Sequence, residues 1–286
     1  MRFGAFRSGE REGLGVATGS NGNLRGLFSG DARYPGTLDS LVRKGCAALN
    51  AAAAALEKGE EIDSGSVTFL PPLSAPGKII CVGLNYVDHS LESGFTPPDY
   101  PTIFTRFTSS LVGAGAPIVR PKVSIQLDYE GEMVAVIGKG GRHISEDDAL
   151  EHVIGYSIFN DASVRDYQKK APQWTMGKNF DGTGAFGPYL VTADELPRGG
   201  KGLRIQTRLN GKTVQDASTS DMVFSVAKLI SLLSEAITLS PGDILVSGTP
   251  AGVGVARTPP LFMKEDDVCE VETEKIGLLR NEVKDE

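Results

Sequence analysis

The sequence has few cysteines, and they form no recognisable pattern. Cys46, Cys81 and Cys269 are an odd number at wide spacings, and no CxxC pair is present. This spacing excludes the disulfide framework of a small secreted protein and the usual structural zinc sites. We therefore expect reduced thiols and a cytoplasmic protein.

Long apolar runs and an excess of positive charge are also missing. The N-terminal segment lacks the apolar core of a signal peptide, and no run approaches the roughly 20 apolar residues of a membrane helix. Lysine and arginine number 29 against 36 aspartate and glutamate residues, a formal net charge of −7 without a basic block. We therefore expect the partner to be a small molecule rather than a membrane or a nucleic acid.

Several familiar catalytic signatures are missing as well. The sequence has no G-x-S-x-G, Walker or H-E-x-x-H motif, which removes the basis for a serine hydrolase or a nucleotide hydrolase. A G-x-G-x-x-G match spans residues 182–187, but Pro188 follows it directly and no helical pattern begins there. A dinucleotide site is therefore not predicted.

The composition that remains is that of a globular protein. Hydrophobic residues make up 40% and charged residues 23% of the chain, which predicts a sizeable buried core. The length of 286 residues suggests about two domains. Prolines and a glycine between residues 71 and 77 are typical of a linker. We predict a small N-terminal domain over residues 1–70 and a catalytic domain over residues 71–286.

Strand patterns predominate beyond the linker. One helix is predicted before it, from a cap at Thr37 to a stop at Gly59, and a second over residues 221–236. The strands do not alternate regularly with helices, which disfavours a doubly wound parallel sheet. The pattern favours an all-β or α+β body, with strands predicted at residues 78–83, 129–138, 155–161, 203–209, 243–247 and 267–272.

Two glutamates share a face of one predicted strand. The two-residue period of a strand puts Glu130 and Glu132 on the same face as Val134 and Val136. Like charges beside core residues repel each other and lose hydration, unless a cation neutralises them. A divalent metal ion is one solution. The alternative is that both glutamates lie at a solvated strand end.

Asp161 offers a third acid, at the end of the predicted strand over residues 155–161. Mg²⁺ prefers about six oxygen ligands, so three carboxylates would leave about three positions for water or a bidentate substrate. That arrangement describes an open, catalytic metal site. The alternative is that Asp161 caps the helix or turn that follows it.

His89 and Glu92 are three residues apart and lie side by side if their segment is helical. A carboxylate beside an imidazole orients the ring and raises its basicity, so that His89 could take a proton from water at neutral pH. The alternative is a solvated pair without a catalytic role.

Together these segments resemble the fumarylacetoacetate hydrolase family, in particular a bacterial member with a small N-terminal domain. The resemblance spans roughly residues 75–280 and implies a β-rich α+β fold, a mixed β-sandwich roll with a small N-terminal α/β appendage, and a homodimer. It is carried by five motifs in order: Gly83-Leu-Asn-Tyr-Val-Asp-His89, Asp128-Tyr-Glu-Gly-Glu132, Asn160-Asp-Ala-Ser-Val-Arg-Asp166, Trp174-Thr-Met-Gly-Lys-Asn-Phe180 and Ser247-Gly-Thr-Pro-Ala-Gly-Val-Gly254.

The resemblance also implies site residues. It makes Glu130, Glu132 and Asp161 the ligands of Mg²⁺ or Mn²⁺, and His89 with Glu92 the pair that activates water.

Further positions would contact the substrate. The resemblance implies that Lys178 faces a substrate oxygen, and that Gln168 and Thr249 match positions that contact substrate in relatives. We add Arg106 as a candidate for binding a distal carboxylate.

The resemblance leaves the reaction open. Our leading hypothesis is a metal-dependent hydrolase that cleaves a C–C bond in an acylpyruvate-like or fumarylacetoacetate-like diketo acid. The metal ion and Lys178 would stabilise the enolate charge of the transition state, and His89 would activate water. The alternatives are an oxaloacetate-type decarboxylase, a 2-hydroxyhepta-2,4-diene-1,7-dioate isomerase and, from another class, a non-catalytic organic-acid-binding protein.

Overall fold

The computed structural model describes residues 1–17, 23–92, 94, 96 and 99–286. In chain order the strands are β1 (Arg2–Ser8), β2 (Arg11–Ala17), β3 (Leu24–Phe28), β4 (Glu60–Ile62), β5 (Thr68–Phe69), β6 (Ile79–Gly83), β7 (Thr102–Arg106), β8 (Leu111–Val112), β9 (Ile118–Arg120), β10 (Leu127–Asp128), β11 (Gly131–Ile137), β12 (Val153–Asp161), β13 (Ser163–Val164), β14 (Gly184–Thr192), β15 (Arg204–Leu209), β16 (Lys212–Ser218), β17 (Ile244–Val246), β18 (Val268–Thr273) and β19 (Gly277–Asp285).

The helices are short. They are α1 (Leu38–Lys44), α2 (Cys46–Leu56), α3 (Val87–Glu92), α4 (Arg165–Gln168), α5 (Thr175–Lys178) and α6 (Val226–Ala236), with 3₁₀ turns elsewhere. Within the described ranges, none of them combines the length and the apolar character that crossing a membrane requires.

Most strands belong to one large mixed sheet. Its twelve strands follow the order β4-β3-β2-β1-β14-β12-β11-β17-β6-β7, with β5 beside β1 and β8 beside β14. A second sheet has the order β16-β15-β18-β19-β9, and β10 pairs with β13 in a small third sheet. The predicted strand-rich α+β fold is confirmed, with open mixed sheets.

The centre of the large sheet is buried on both faces. Every residue of β11 and β12 is buried. On one face Met133 and Ile158 belong to the core that lies between this sheet and the second sheet. On the other face Val134 and Phe159 share a core with residues of α1 and α2. A strand covered on both faces is nearly all apolar, so any carboxylate in it is removed from water.

The first 70 residues extend the large sheet. β1 pairs antiparallel with β14, with Phe3 opposite Leu190, and α2 packs on β2 and β3. The division into residues 1–70 and 71–286 stays a prediction that follows the order of the chain. In space, both parts share one sheet.

Two predicted helices differ from those observed. The helix predicted from Thr37 to Gly59 is broken into α1 and α2 at Gly45, whose φ of 85° belongs to the left-handed region that glycine adopts without strain. Thr37 caps α1 as predicted. The helix predicted over residues 221–236 begins only at Val226, because a 3₁₀ turn precedes it and the Ser225 side chain caps it.

Candidate active site

A cavity of about 410 Å³ lies beside the start of β11 and contains most of the predicted site residues. Its polar lining consists of His89, Glu92, Glu130, Glu132, Arg165, Gln168, Lys169, Lys178 and Thr249. The rest of the wall is largely apolar and includes Phe104, Pro172, Trp174, Val253 and Val255. A concave, partly apolar lining with a few convergent polar groups is typical of a site for a small molecule.

The three acids predicted to bind a metal ion meet in this structure. Glu130 directly precedes β11, Glu132 is the second residue of β11, and Asp161 ends its antiparallel neighbour β12. Each offers a carboxylate oxygen that lies within 4.8 Å of those of the other two, and all three side chains are buried. Neither a solvated strand end nor a helix cap describes their positions.

Backbone hydrogen bonds fix two of these acids. The Glu130 N–H donates to Oδ1 of Asn160 at 3.0 Å, and Oε2 of Glu132 accepts the N–H of Gly248 at 2.5 Å. Gly248 has a φ of 99°, and a Cβ at this position would lie 2.7 Å from Cβ of Asn85. The close approach of this loop to Glu132 therefore requires glycine.

Cationic side chains face the acids. Nζ of Lys178 lies 2.7 Å from Oε2 of Glu130 and 2.6 Å from Oδ2 of Asp161. Arg165 forms an ion pair with Glu130 at 2.7 Å, and Arg106 pairs with Asp161. Because these groups are buried, removing any one of them would leave a partner charge unmatched at high cost.

The charges of this cluster do not balance. Burial, together with the negative charges of Asp161 and Glu130, raises the pKa of Glu132 well above its ordinary value. Burial would raise the pKa of Glu130 too, but its cationic neighbours, Lys178 first, outweigh burial and lower it. The buried cluster contains four carboxylates but only three cations. The carboxylates are Asp128, Glu130, Glu132 and Asp161, and the cations are Arg106, Arg165 and Lys178.

His89 and Glu92 form the predicted pair on α3. Nδ1 of His89 lies 2.9 Å from Oε1 of Glu92, which leaves Nε2 for proton transfer. Oε2 of Glu92 also accepts the N–H of Gly252 at 2.9 Å. Glu92 therefore orients the imidazole and ties α3 to the loop that follows β17.

Gln168 and Thr249 line the cavity, but both already have hydrogen-bond partners. Oε1 of Gln168 accepts from Arg165 at 2.9 Å. Oγ1 of Thr249 donates to the carbonyl of Gly131 at 3.0 Å and accepts from Gln215 at 2.8 Å. Contact of either residue with a substrate stays a prediction.

Arg106 is buried and is not part of the described lining of the cavity. Its guanidinium group donates to Asp161, to the carbonyl of Ala162 at 3.1 Å, to Thr183 at 2.7 Å and to Ser110 at 3.2 Å. This buried position suits support of Asp161 rather than contact with a distal carboxylate of the substrate.

The sequence pattern does not single out two residues that shape the site. Arg165 lines the cavity, and its Nε donates to the fully buried Asp128 at 2.8 Å. Asp128 also accepts the N–H groups of Gly254 at 2.7 Å and Val255 at 2.9 Å. Asp128 thus holds in place both Arg165 and the segment of the cavity wall at Gly254 and Val255. The only signal for either residue was its place inside a family motif.

The acid cluster fits a divalent cation. Two oxygens on one Mg²⁺, each at about 2.1 Å, can be at most about 4.2 Å apart, so oxygens within 4.8 Å of one another need only small movements. Carboxylate oxygens are also the ligands that Mg²⁺ and Mn²⁺ prefer. Burial and the negative charges of Asp161 and Glu130 raise the pKa of Glu132, and an ion held by the three acids would offset those charges.

A comparison with known families accounts for this arrangement. The model described as fumarylacetoacetate (FAA) hydrolase C-terminal matches residues 78–284, most of the chain. The chain belongs to the fumarylacetoacetate hydrolase family. The resemblance carried by the five sequence motifs is thereby confirmed.

Family members match over nearly the whole chain. Oxaloacetate tautomerase fahd2, mitochondrial, from Xenopus laevis is 41% identical over an alignment that covers 99% of this chain and 90% of that protein. Oxaloacetate tautomerase FAHD2A, mitochondrial, from Homo sapiens is 40% identical, with 99% and 91% covered.

Solved structures of the family share the fold. A fumarylacetoacetate hydrolase from Exiguobacterium antarcticum has a TM-score of 0.85 and 35% identity, with all of both chains covered. A 2-hydroxyhepta-2,4-diene-1,7-dioate isomerase from Mycobacterium marinum has a TM-score of 0.76 and 28% identity, with 100% of this chain and 99% of that chain covered. Because these family members are named for different reactions, the fold alone does not define the activity.

Proposed function

We propose that this chain is a divalent-metal-dependent enzyme, with Mg²⁺ or Mn²⁺, that interconverts the enol and keto forms of a 2-oxo acid of the oxaloacetate type. The observation that carries the proposal is the buried group of Glu130, Glu132 and Asp161 beside Lys178. The relatives named oxaloacetate tautomerase, which match 99% of the chain, support the substrate class. They also favour an enzyme over a non-catalytic acid-binding protein.

Stabilising negative charge on the 2-oxo oxygen is the central requirement of this reaction. Both tautomers pass through the same enolate, whose charge lies largely on that oxygen. A divalent ion held by the three acids would supply Lewis acidity there. Lys178 has three N–H donors, and two of them face Glu130 and Asp161. The third donor is left for the substrate oxygen.

His89 is suited to carry the proton. Glu92 holds Nδ1, so Nε2 can accept or deliver a proton in the cavity. From enol to keto form, the enol oxygen loses a proton and C3 gains one, and no water is consumed. The apolar wall that includes Phe104 and Trp174 limits access of bulk water to the enolate.

The proposal predicts metal-dependent tautomerisation. The purified chain with Mg²⁺ or Mn²⁺ should convert enol oxaloacetate to its keto form, at a rate proportional to enzyme concentration and measured by the loss of enol absorbance. Removing the metal with a chelator should lower the rate by about 10³-fold or to background, because the main stabilisation of the enolate is lost. Re-adding the metal should restore it. A metal-loaded protein with no activity on oxaloacetate would contradict this substrate.

Hydrolysis of a C–C bond, the leading hypothesis from the sequence, is the second candidate. The pair of His89 and Glu92 at 2.9 Å could activate water, and the likeness to the hydrolase from Exiguobacterium antarcticum supports it. A hydrolase would release acetate and pyruvate from acetylpyruvate, whereas a tautomerase would release neither. Release of CO₂ from oxaloacetate would identify a decarboxylase, and conversion of a dienedioate would identify an isomerase.

Replacing His89 by glutamine tests the proton-transfer role. His89→Gln should lower kcat about 10²- to 10⁴-fold, because an amide cannot exchange a proton at neutral pH. The dissociation constant for the metal, measured by calorimetry, should stay unchanged. His143→Gln is the matched control, since this exposed histidine lies outside the described cavity lining. A fully active His89→Gln variant would show that another group moves the proton.

The remaining assignments rest on the sequence, through the family resemblance for the homodimer and the substrate class, and through the cysteine pattern and the linker residues for the location and the boundary. We propose a homodimer, a small anionic 2-oxo acid as partner, a cytoplasmic location, and a boundary between the two parts of the chain at residue 70. Light scattering would measure the mass of the assembly, and fractionation of the source cells would test the location.

A further inference from the structure

The positive charges that line the cavity are already matched by acids, with one exception. Nζ of Lys178 lies within 2.7 Å of two buried carboxylates. The guanidinium group of Arg165 lies within 2.8 Å of two others. The third lining residue with a permanent positive charge is Lys169.

Lys169 has a free charge at an exposed position. In the described part of the chain, no carboxylate oxygen forms an ion pair with it. Lys169 directly follows α4, and its backbone N–H donates to the carbonyl of Arg165 at 3.1 Å, which holds its backbone in place. Its ammonium group is therefore available to a ligand in the cavity.

A dicarboxylic 2-oxo acid brings a second negative charge that needs a partner. The 2-oxo carboxylate belongs at the acid cluster, where the metal would bind. The distal carboxylate must then meet the remaining wall, which is largely apolar around Phe104, Trp174 and Val253. Placing a carboxylate against such a wall without a cation is strongly unfavourable, because the charge loses its hydration and gains no partner.

We propose that Lys169 binds the distal carboxylate and thereby determines the preference of this enzyme for dicarboxylic over monocarboxylic 2-oxo acids. The proposal rests on the proposed function, because it takes the 2-oxo group to lie at the acid cluster. It assigns to Lys169 the role for which Arg106 is not free, because the guanidinium group of Arg106 donates to Asp161, Ala162 and Thr183. Specificity arises because the ammonium group of Lys169 strengthens the binding only of a substrate that carries the second carboxylate.

A matched pair of acids tests this role. 2-Oxobutanoate has a methyl group where oxaloacetate has its distal carboxylate. In Lys169→Met, the KM for oxaloacetate should rise about tenfold, the size expected of one partly exposed charged hydrogen bond. kcat should change less than about twofold, because Lys169 does not act on the enolate. The inhibition constant of 2-oxobutanoate should be unchanged.

The neighbouring lysine is the control. Lys170 is also exposed, but its Nζ lies 3.2 Å from the centre of the Tyr167 ring and it is not part of the described cavity lining. Lys170→Met should leave both constants at their wild-type values. An equal loss of affinity for both acids, or the same change in both lysine variants, would overturn the role of Lys169.

The failure of this inference is distinguishable from the failure of the proposed function. If the metal-loaded wild type does not tautomerise oxaloacetate, the proposed function fails. Calorimetric titration of the two acids into the magnesium-loaded proteins then compares their affinities directly. A preference for oxaloacetate that falls about tenfold in Lys169→Met alone supports the inference, and an unchanged or absent preference overturns it.

Discussion

Replacing Glu132 by glutamine is expected to have opposite effects on activity and on stability. Turnover should fall about 10³-fold or more, and affinity for the metal at least about 100-fold, because one of three carboxylate ligands is lost. The metal-free variant should nevertheless unfold at a higher temperature than metal-free wild type. The pKa of Glu132 in the folded protein is raised by burial and by Asp161 and Glu130, so at neutral pH this carboxyl group destabilises the folded state relative to the neutral amide of glutamine.

The two effects can be measured separately. Calorimetry gives metal affinity, and thermal unfolding in chelator gives the stability of the metal-free protein. The amide oxygen of glutamine can still accept the N–H of Gly248, so the loop should keep its position. Glu265→Gln, at an exposed position, should change neither quantity. Wild-type metal affinity in Glu132→Gln would rule out Glu132 as a ligand.

Replacing Lys178 by methionine should destabilise the metal-free protein by about 3–5 kcal/mol, because Glu130 and Asp161 lose the cation between them. A divalent ion should restore much of this loss, since it supplies positive charge to the same carboxylates. The rise in melting temperature on adding metal should therefore be larger in the variant than in wild type. kcat should fall even with metal bound, because the ammonium donor to the enolate oxygen is gone.

The same lysine control serves here. Lys170→Met removes a positive charge near the site without leaving a buried acid unmatched, so its melting temperature should respond to metal as wild type does. If Lys178→Met were as stable as wild type in chelator, the buried ion pairs would not hold the acids as the structure indicates.

Local relations within the site could be predicted from the sequence. Strand alternation predicts that Glu130 and Glu132 share a face, and helical spacing predicts that His89 and Glu92 are neighbours. The meeting of these acids with Asp161 depends on the pairing of β11 with β12, which neither strand encodes alone. From the residues alone, a shared metal site was one of two open alternatives for these acids, and the five family motifs favoured it.

Strand β14 shows why much of the sheet could not be predicted. It contains glycines and Pro188, which argue against a strand. The structure accommodates them at an irregularity: Gly187 pairs with Ile158, whereas Val191 pairs with Tyr156, so three residues of β14 bulge opposite one of β12. A local sequence pattern does not show that a partner strand can accommodate such a bulge.

The pairing of buried cations with the acids of the site could not be predicted from the sequence either. Arg106 is 55 residues from Asp161 in sequence, and Lys178 is 48 residues from Glu130. Their contacts arise from tertiary packing, which the spacing of charged residues does not encode. The sequence therefore indicates which acids are present, but not that buried cations hold them.

The ligands of the ion and the wall around the substrate come from different parts of the chain. Glu132 and Asp161 lie on the central strands β11 and β12, and Glu130 directly precedes β11. In contrast, Trp174, Val253 and Val255 lie in loops and short turns. Loops tolerate changes of length and shape that a buried sheet does not. Redesigning these loops should yield catalysts for bulkier acids that inherit the same coordination sphere, which makes this scaffold a practical starting point for directed evolution.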